Sequence, residues 1–215
     1  ARNVVAFADL AEHDNISNTA VVSPSGALSI PYNNTNTLYN TLNQQFTGAR
    51  DISTVNQALG GTFVNGTEYE EVESARLLEY TVNTKLGYIS LKTQLQADEV
   101  LAVAYNYTYS DGKTYQVGEF STDNPSSAAS CLYVKLLKGI TMSPDMPFWD
   151  LMMKNIYSLG AYSVQKEKFK LNIMYQSDTT GTYVNYLPEG AIANQILLRV
   201  LNLDSYDSNN QPHPD

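Results

Sequence analysis

Residues 100–120 read VLAVAYNYTYSDGKTYQVGEF. Tyrosine stands at 105, 107 and 109 before a single Asp111-Gly112 pair and again at 115 beyond it, with polar residues between. Alternation on both sides of Asp-Gly is a strong short-range signal for a β-hairpin, because glycine accepts the left-handed backbone of a tight turn. A two-residue type I′ turn sets Ser110 against Lys113, then pairs Tyr109 with Thr114, Tyr107 with Gln116, Tyr105 with Gly118 and Val103 with Phe120. Those pairs share one face, and Tyr115 falls on the other with Val117 and Glu119. The base of the first face is expected to be buried, with the Tyr105 ring over Gly118, while Tyr107 and Tyr109 near the tip remain candidates for contact. A longer loop with a bulge at Gly112 would shift this register. A tyrosine row can stack on sugars, but tyrosine is also a strand former whose hydroxyl suits a sheet margin, and the structural reading is favoured.

Working outward, residues 3–10, NVVAFADL, predict a strand followed by a polar loop. Leu38, Leu42 and Phe46, then Ile52, Val55 and Leu59, recur at three- and four-residue steps before Gly60-Gly61, which predicts two short helices. Residues 79–92, EYTVNTKLGYISLK, predict two strands with a kink near Gly87, and CLYVKLLK from Cys131 predicts another. Ser/Asn/Pro-rich residues 121–130 predict a loop. Pro144 and Pro147 confine any helix of the Trp149 segment to the residues after Pro147. Phe169, Leu171, Ile173 and Tyr175 alternate with Lys166, Lys168 and Lys170, the pattern of a half-buried strand, with residues 179–190 as its return. These elements predict a mainly β fold: an antiparallel β-sandwich with hairpins and a short helical insertion near the N-terminus. Residues 1–75 are expected to supply strands and the helical insertion, 76–203 the sandwich core, and 204–215 a polar linker.

The 215 residues suffice for a sizeable core. A net charge of −9, from 13 Lys+Arg against 22 Asp+Glu, argues against a nucleic-acid partner, which would call for a clustered basic surface. Cys131 is the single cysteine, so packing without an internal disulfide holds the fold. No apolar run approaches the roughly 20 residues of a membrane-spanning helix. The opening ARNVVAF has no signal-peptide pattern and no initiator Met, which suggests an excised or processed piece.

The chemistry-bearing residues are sparse. His13 and His213 lie in polar terminal stretches, away from any shared element that would bind a metal. Cys131 in an apolar strand reads as a buried, inert thiol rather than a nucleophile. Glu70-Glu71 and Asp98-Glu99 read as solvated charges in polar connections, with a glycosidase pair as the minor alternative. Asp204, Asp207, Asn209, Asn210 and Asp215 offer oxygen ligands to Ca²⁺, but without EF-hand spacing, so a polar linker is preferred. Trp149, Met152 and Met153 could form an adaptable partner-binding surface, but the favoured reading is that they close one end of the core. The site residues are thus candidate partner contacts only: Tyr107, Tyr109, Trp149, Met152 and Met153, with no catalytic, cofactor or metal residue assigned.

Several blocks in order carry a resemblance: ARNVVAFADL with Glu12, EYTVNTKLGYISL, DEVLAVAYNYTY, TYQVGEF, FWDLMMKNIYSL and KFKLNIMY. Together they resemble the SprA/Sov family, the outer-membrane translocon of type IX secretion and gliding motility in Bacteroidota. The likeness is best over residues 76–176 and weaker but collinear elsewhere. It implies a non-enzymatic, soluble internal segment of a very large β-barrel that passes folded cargo to the cell surface. The remainder of the barrel, other secretion-system proteins and cargo would be its partners, and it would lie on the surface or periplasmic side of the outer membrane. Ala11 departs from the pattern, which leads one to expect glycine there. A surface adhesin or carbohydrate-binding β-sandwich is the alternative from a different class.

Overall fold

A computed structural model describes residues 1–84, 87–123, 130–153, 163–165, 167 and 169–204. The chain divides into two compact units, residues 1–153 and 154–215. Strands dominate and the helices are few and short.

The first unit contains β1 (Arg2–Phe7), α1 (Leu38–Gln44), α2 (Val55–Leu59), β2 (Tyr69–Ala75), β3 (Tyr80–Asn83), β4 (Tyr88–Leu91), β5 (Leu101–Val103), β6 (Tyr105–Thr108), β7 (Thr114–Val117) and β8 (Leu132–Lys138). Single 3₁₀ turns occur at Thr47–Arg50 and Trp149–Leu151. The main sheet has the order β2-β1-β8-β5, and β3–β4 and β6–β7 are separate two-stranded hairpins. Strands from residues 1–75 and from residues 76–203 share that one sheet.

The central strands explain their own burial. β1 runs through Val4-Val5-Ala6-Phe7 and β8 through Leu132-Tyr133-Val134, near-continuous apolar stretches that suit strands covered on both faces. Val5 and Phe7 share one face with Tyr133 and pack against Leu38, Leu42, Val55 and Leu59 of the helices. Ala6 and Ala8 share the other face with Leu132, Val134 and Leu136, where Phe148 closes the layer with Met142 and Met146 beside it. Each fully buried large side chain contributes about 1.5–3 kcal/mol relative to exposure. The faces are therefore covered by helices on one side and by the 142–148 segment on the other. β1 and β8 run parallel, with Val5 beside Tyr133 and Ala6 beside Val134, the one parallel pair among the described strands of an otherwise antiparallel arrangement. The long connection between them, which includes both helices and both hairpins, gives the chain room for the crossover that a parallel pair requires.

The hairpin of residues 100–120 differs from its expected form in two ways. The single first strand is divided: β5 pairs with β8, Val103 opposite Lys135 rather than Phe120, while β6 pairs with β7. The division falls at Ala104, where Gly118 passes so closely that a side-chain carbon on it would lie 3.0 Å from Ala104 Cβ and 3.3 Å from the Tyr133 carbonyl. Gly118 also has a φ of +72°, and Asn33 holds both its N–H and its carbonyl. The second difference is register. Tyr109 N–H donates to Lys113 O and Gly112 N–H to Tyr109 O, so Ser110, Asp111 and Gly112 form a three-residue loop with Gly112 left-handed. Tyr107 consequently faces Tyr115 and Tyr105 faces Val117. Tyr105 thus stands opposite Val117 rather than Gly118, and Tyr115 joins the face of the other tyrosines.

Other expectations stand at the level of elements. The two helices occupy the expected stretch, and Gly87 with a φ of 71° turns β3 into β4. In the second unit the alternating 169–175 stretch is strand only at β9 (Tyr175–Gln176), paired antiparallel with β10 (Tyr183–Val184), and α3 (Leu197–Val200) comes after them. Phe169, expected inward, is exposed. Lys166 and Lys168, and all but Asp204 of the calcium-ligand residues, lie outside the described residues.

Ala11 is buried with a φ of 65°, the left-handed region in which a Cβ costs about 1–2 kcal/mol. Ala11→Gly is accordingly expected to stabilise the protein by about 0.5–1 kcal/mol after glycine's greater unfolded-state entropy is offset, read as a higher urea midpoint at constant slope.

Candidate functional site

The corrected register assembles an aromatic ridge. Along β6–β7 the ring centroids of Tyr105 and Tyr107 are 6.1 Å apart, Tyr107 and Tyr115 6.0 Å, and Tyr109 and Tyr115 6.4 Å. Tyr32 meets Tyr115 edge-on at 5.4 Å. Two hydroxyls are engaged within the protein: Tyr107 donates to Pro31 O at 2.6 Å and Tyr115 to Asp111 Oδ2 at 2.7 Å. That bond to Asp111, with a smaller contribution from burial, pushes the Tyr115 phenol up to about 12. Tyr105, 37% exposed, and Tyr109, 47% exposed, carry the accessible ring surface, whereas Tyr107 is partly covered. The ridge offers stacking area and little polar convergence.

The Trp/Met segment forms the second candidate. Ser143, Pro144 and Asp145 lead into the 3₁₀ turn Trp149–Leu151, and residues 154–162 of the stretch in which the sequence permits a helix lie outside the described residues. Phe148 is the buried anchor, Trp149 is half-buried, and Met152 and Met153 are 42% and 46% exposed. Core closure thus falls to Phe148, with Met142 and Met146, and the two later methionines lie on the surface. Nearby, Glu12, Ile16, Met146, Pro147, Asp150 and Leu151 share the lining of a cleft of about 300 Å³.

No family model matches this chain, and no curated protein matches it.

Among the described residues, a dense buried polar constellation lies outside those singled out by the sequence. Glu119, almost fully buried at the end of the hairpin, accepts from Arg50 Nη2 at 2.7 Å, from the Tyr39 hydroxyl at 2.8 Å and from Tyr133 N–H at 3.0 Å. Arg50 also donates to the Cys131 carbonyl and lies 3.6 Å above the Tyr133 ring centre. A second network fixes the turn after β1. Asp9 accepts from Ser17 N–H, Ser17 Oγ and Asn18 N–H, Asn36 donates to the Asp9 and Glu12 carbonyls, and buried Lys135 donates to Ala8 O and pairs with Glu12 at 2.5 Å. Glu70 is a further correction: it stands buried in β2, not in a solvated connection, and accepts from Ile140 N–H at 2.9 Å. Glu71 in the same strand accepts from Asn56. The visible signal for these pairs was Lys135 and Glu119 among apolar strand residues, since a charge there requires a partner.

Cys131 is fully buried, and burial pushes its thiol from 9.0 up to about 11, which agrees with an inert side chain. His13 pairs with neighbouring Asp14 at 2.6 Å, and His213 lies outside the described residues. Among the described residues, no group of three or more His, Cys, Asp and Glu is placed to hold a metal, and no helix is long and apolar enough to cross a membrane.

The phenols and the thiol set an alkaline limit. Burial, then the hydrogen bond to Glu119, raises Tyr39 to about 12, and burial raises Tyr133 further. With Cys131 and Tyr115, these groups keep their protons in the folded state after the unfolded chain has released them. The folded state then binds more protons, so stability falls as pH rises from about 9 toward 12. Lys135, lowered by burial, acts oppositely up to the ordinary lysine value, but it is one group against several raised phenols and a thiol. The melting temperature is expected to decline steadily above about pH 9.5, and Tyr39→Phe to flatten that decline.

Proposed function

We propose that the chain is a non-catalytic, interaction-bearing segment of an outer-membrane protein-secretion translocon of the SprA/Sov kind. The supporting observation is where the structurally demanding residues fall. Asp9, Glu12, Gly118 and Glu119 occur inside the ARNVVAFADL–Glu12 and TYQVGEF blocks that carry the resemblance, and each is committed to holding the fold. The buried carboxylates Asp9, Glu70 and Glu119 are held by internal donors, which suits a scaffold. Apolar surface meanwhile points outward on the hairpins. In β3–β4, Tyr80 pairs with Leu91 and Val82 with Ile89 on one face, with Tyr80 57% and Val82 56% exposed. A two-stranded hairpin is marginal alone in water and gains from a neighbouring layer. In this reading the rest of the barrel chain or another secretion protein supplies that layer, which would complete the sandwich suggested by the hairpin spacing.

The expected setting is the outer membrane of a Gram-negative bacterium, on its surface or periplasmic side, in a system that also serves gliding motility. Removing residues 1–215 from the parent chain is expected to abolish surface display of secreted cargo while the barrel still reaches the outer membrane. Undiminished secretion after that deletion would count against the proposal. The ridge of Tyr105 and Tyr109 favours one second reading, a carbohydrate-binding module that stacks sugars on those rings. Glycan-array binding that disappears in Tyr105→Ala/Tyr109→Ala would support it.

A further inference from the structure

We propose that the tip of the β6–β7 hairpin is a covalent modification site, at which a one-electron oxidant joins Tyr109 to Tyr115 as a dityrosine. Their ring centroids are 6.4 Å apart, so a modest rotation of two partly exposed side chains brings ring carbons ortho to the hydroxyls together. Oxidising a phenol releases a proton with the electron, and a base already in hydrogen-bond contact eases that loss. Within the ridge, Tyr115 is the tyrosine whose hydroxyl donates to a carboxylate, Asp111 Oδ2 at 2.7 Å. The Tyr107 proton meets only the Pro31 carbonyl, a far weaker base. The first radical accordingly settles on Tyr115, with its proton held by Asp111.

Tyr109 is the neighbour best able to meet that radical. It is 47% exposed, and its hydroxyl has no partner among the described residues. Tyr107 is pinned through its hydroxyl, and Tyr32, 5.4 Å from Tyr115, belongs to a segment tied to β7 by Asn33 N–H donating to Gln116 O. In the reaction each phenol gives up one hydrogen atom to the oxidant, and the two phenoxyl radicals form a carbon–carbon bond between ortho positions. The two ortho hydrogens then shift to the oxygens, which restores both phenols. The chain loses two hydrogen atoms overall, and hydrogen peroxide acting through a haem peroxidase takes them up as two molecules of water. Cys131 is the single cysteine, so an internal disulfide is out of reach, whereas a tyrosine link can fix the register of a two-stranded hairpin that is marginal by itself. The inference concerns the chain itself and does not depend on the translocon reading.

The full 215-residue chain, kept dilute, is treated with a haem peroxidase and hydrogen peroxide, and the monomer is isolated and mapped by mass spectrometry. The expected product is a monomer with dityrosine fluorescence, lighter by two hydrogen atoms, in which the crosslink joins the Tyr109 and Tyr115 peptides. Tyr80 and Tyr183 are more exposed, 57% and 63%, but neither makes a ring contact among the described residues, so they control for exposure alone. Tyr115→Phe and Tyr109→Phe keep the ring but cannot form a phenoxyl radical, and each should abolish the fluorescence of the monomer. Asp111→Asn preserves an acceptor for Lys113 N–H and should slow crosslinking severalfold without abolishing it. A monomer free of dityrosine, a crosslink through any other pair, or an Asp111→Asn rate equal to that of the parent chain would overturn the proposal. The mapping needs no substitution, so it decides the matter even if a variant folds poorly.

Discussion

Glu119→Ala is expected to lower the unfolding free energy by about 3–5 kcal/mol, the cost typical of removing one member of a buried ion pair. The residue accepts from Arg50, Tyr39 and Tyr133 N–H, so truncation leaves a guanidinium, a phenol and a strand N–H without their acceptor. Arg50 would keep the Cys131 carbonyl, Asn43 and its place over the Tyr133 ring, which holds the loss within that range. Glu119→Gln keeps shape and one acceptor but not the charge, and should fall between the two. Urea unfolding with unchanged slope measures both. A loss below about 1 kcal/mol for Glu119→Ala would mean that the network behaves as an ordinary surface pair.

Phe7→Ala is expected to cost about 3–5 kcal/mol by leaving a cavity in the face that joins sheet and helices. The Phe7 ring meets Tyr133 edge-on at 5.6 Å and Phe63 at 6.1 Å, with Tyr69 also at 6.1 Å. No one of those neighbours can move in without vacating its own place. Phe7→Leu fills most of the space and should cost markedly less, and thermal melts of the pair separate lost volume from lost aromatic geometry. Equal small losses would place Phe7 outside the main core.

These two residues also show what a sequence can and cannot disclose. Local signals worked: Leu38/Leu42 and Val55/Leu59 mark the helices, and Gly87 marks the turn between β3 and β4. Their information lies within one or two turns of chain. The register of residues 100–120 was ambiguous because Asp-Gly fits both a two-residue turn and a three-residue loop closed by a left-handed glycine. One residue of difference moved Tyr115 to the face of Tyr107 and turned a divided row into a continuous ridge. The break at Ala104 depended on Gly118, Tyr133 and Asn33 meeting in space. The polar networks were the least legible. Arg50 and Glu119 are 69 residues apart and Glu12 and Lys135 are 123 apart, so no spacing rule could pair them. The sequence could show that Lys135 and Glu119 need partners, but not which ones. Met152 and Met153, for which core closure is the favoured sequence reading, are at the surface, while Tyr107 is partly covered and Tyr105 takes its place in the exposed ridge.

If this segment works by protein contact within a secretion translocon, its exposed hairpins must touch other proteins of that system in the cell. Photo-crosslinking in the native cells, with the reactive amino acid placed at Val82 on the β3–β4 face and at Tyr109 on the ridge, detects such neighbours. Discrete covalent adducts are expected, identified by mass spectrometry as the remainder of a large outer-membrane barrel chain, another secretion-system protein or secreted cargo. Adducts confined to unrelated proteins, together with glycan binding by the purified chain that Tyr109→Ala abolishes, would contradict the translocon reading.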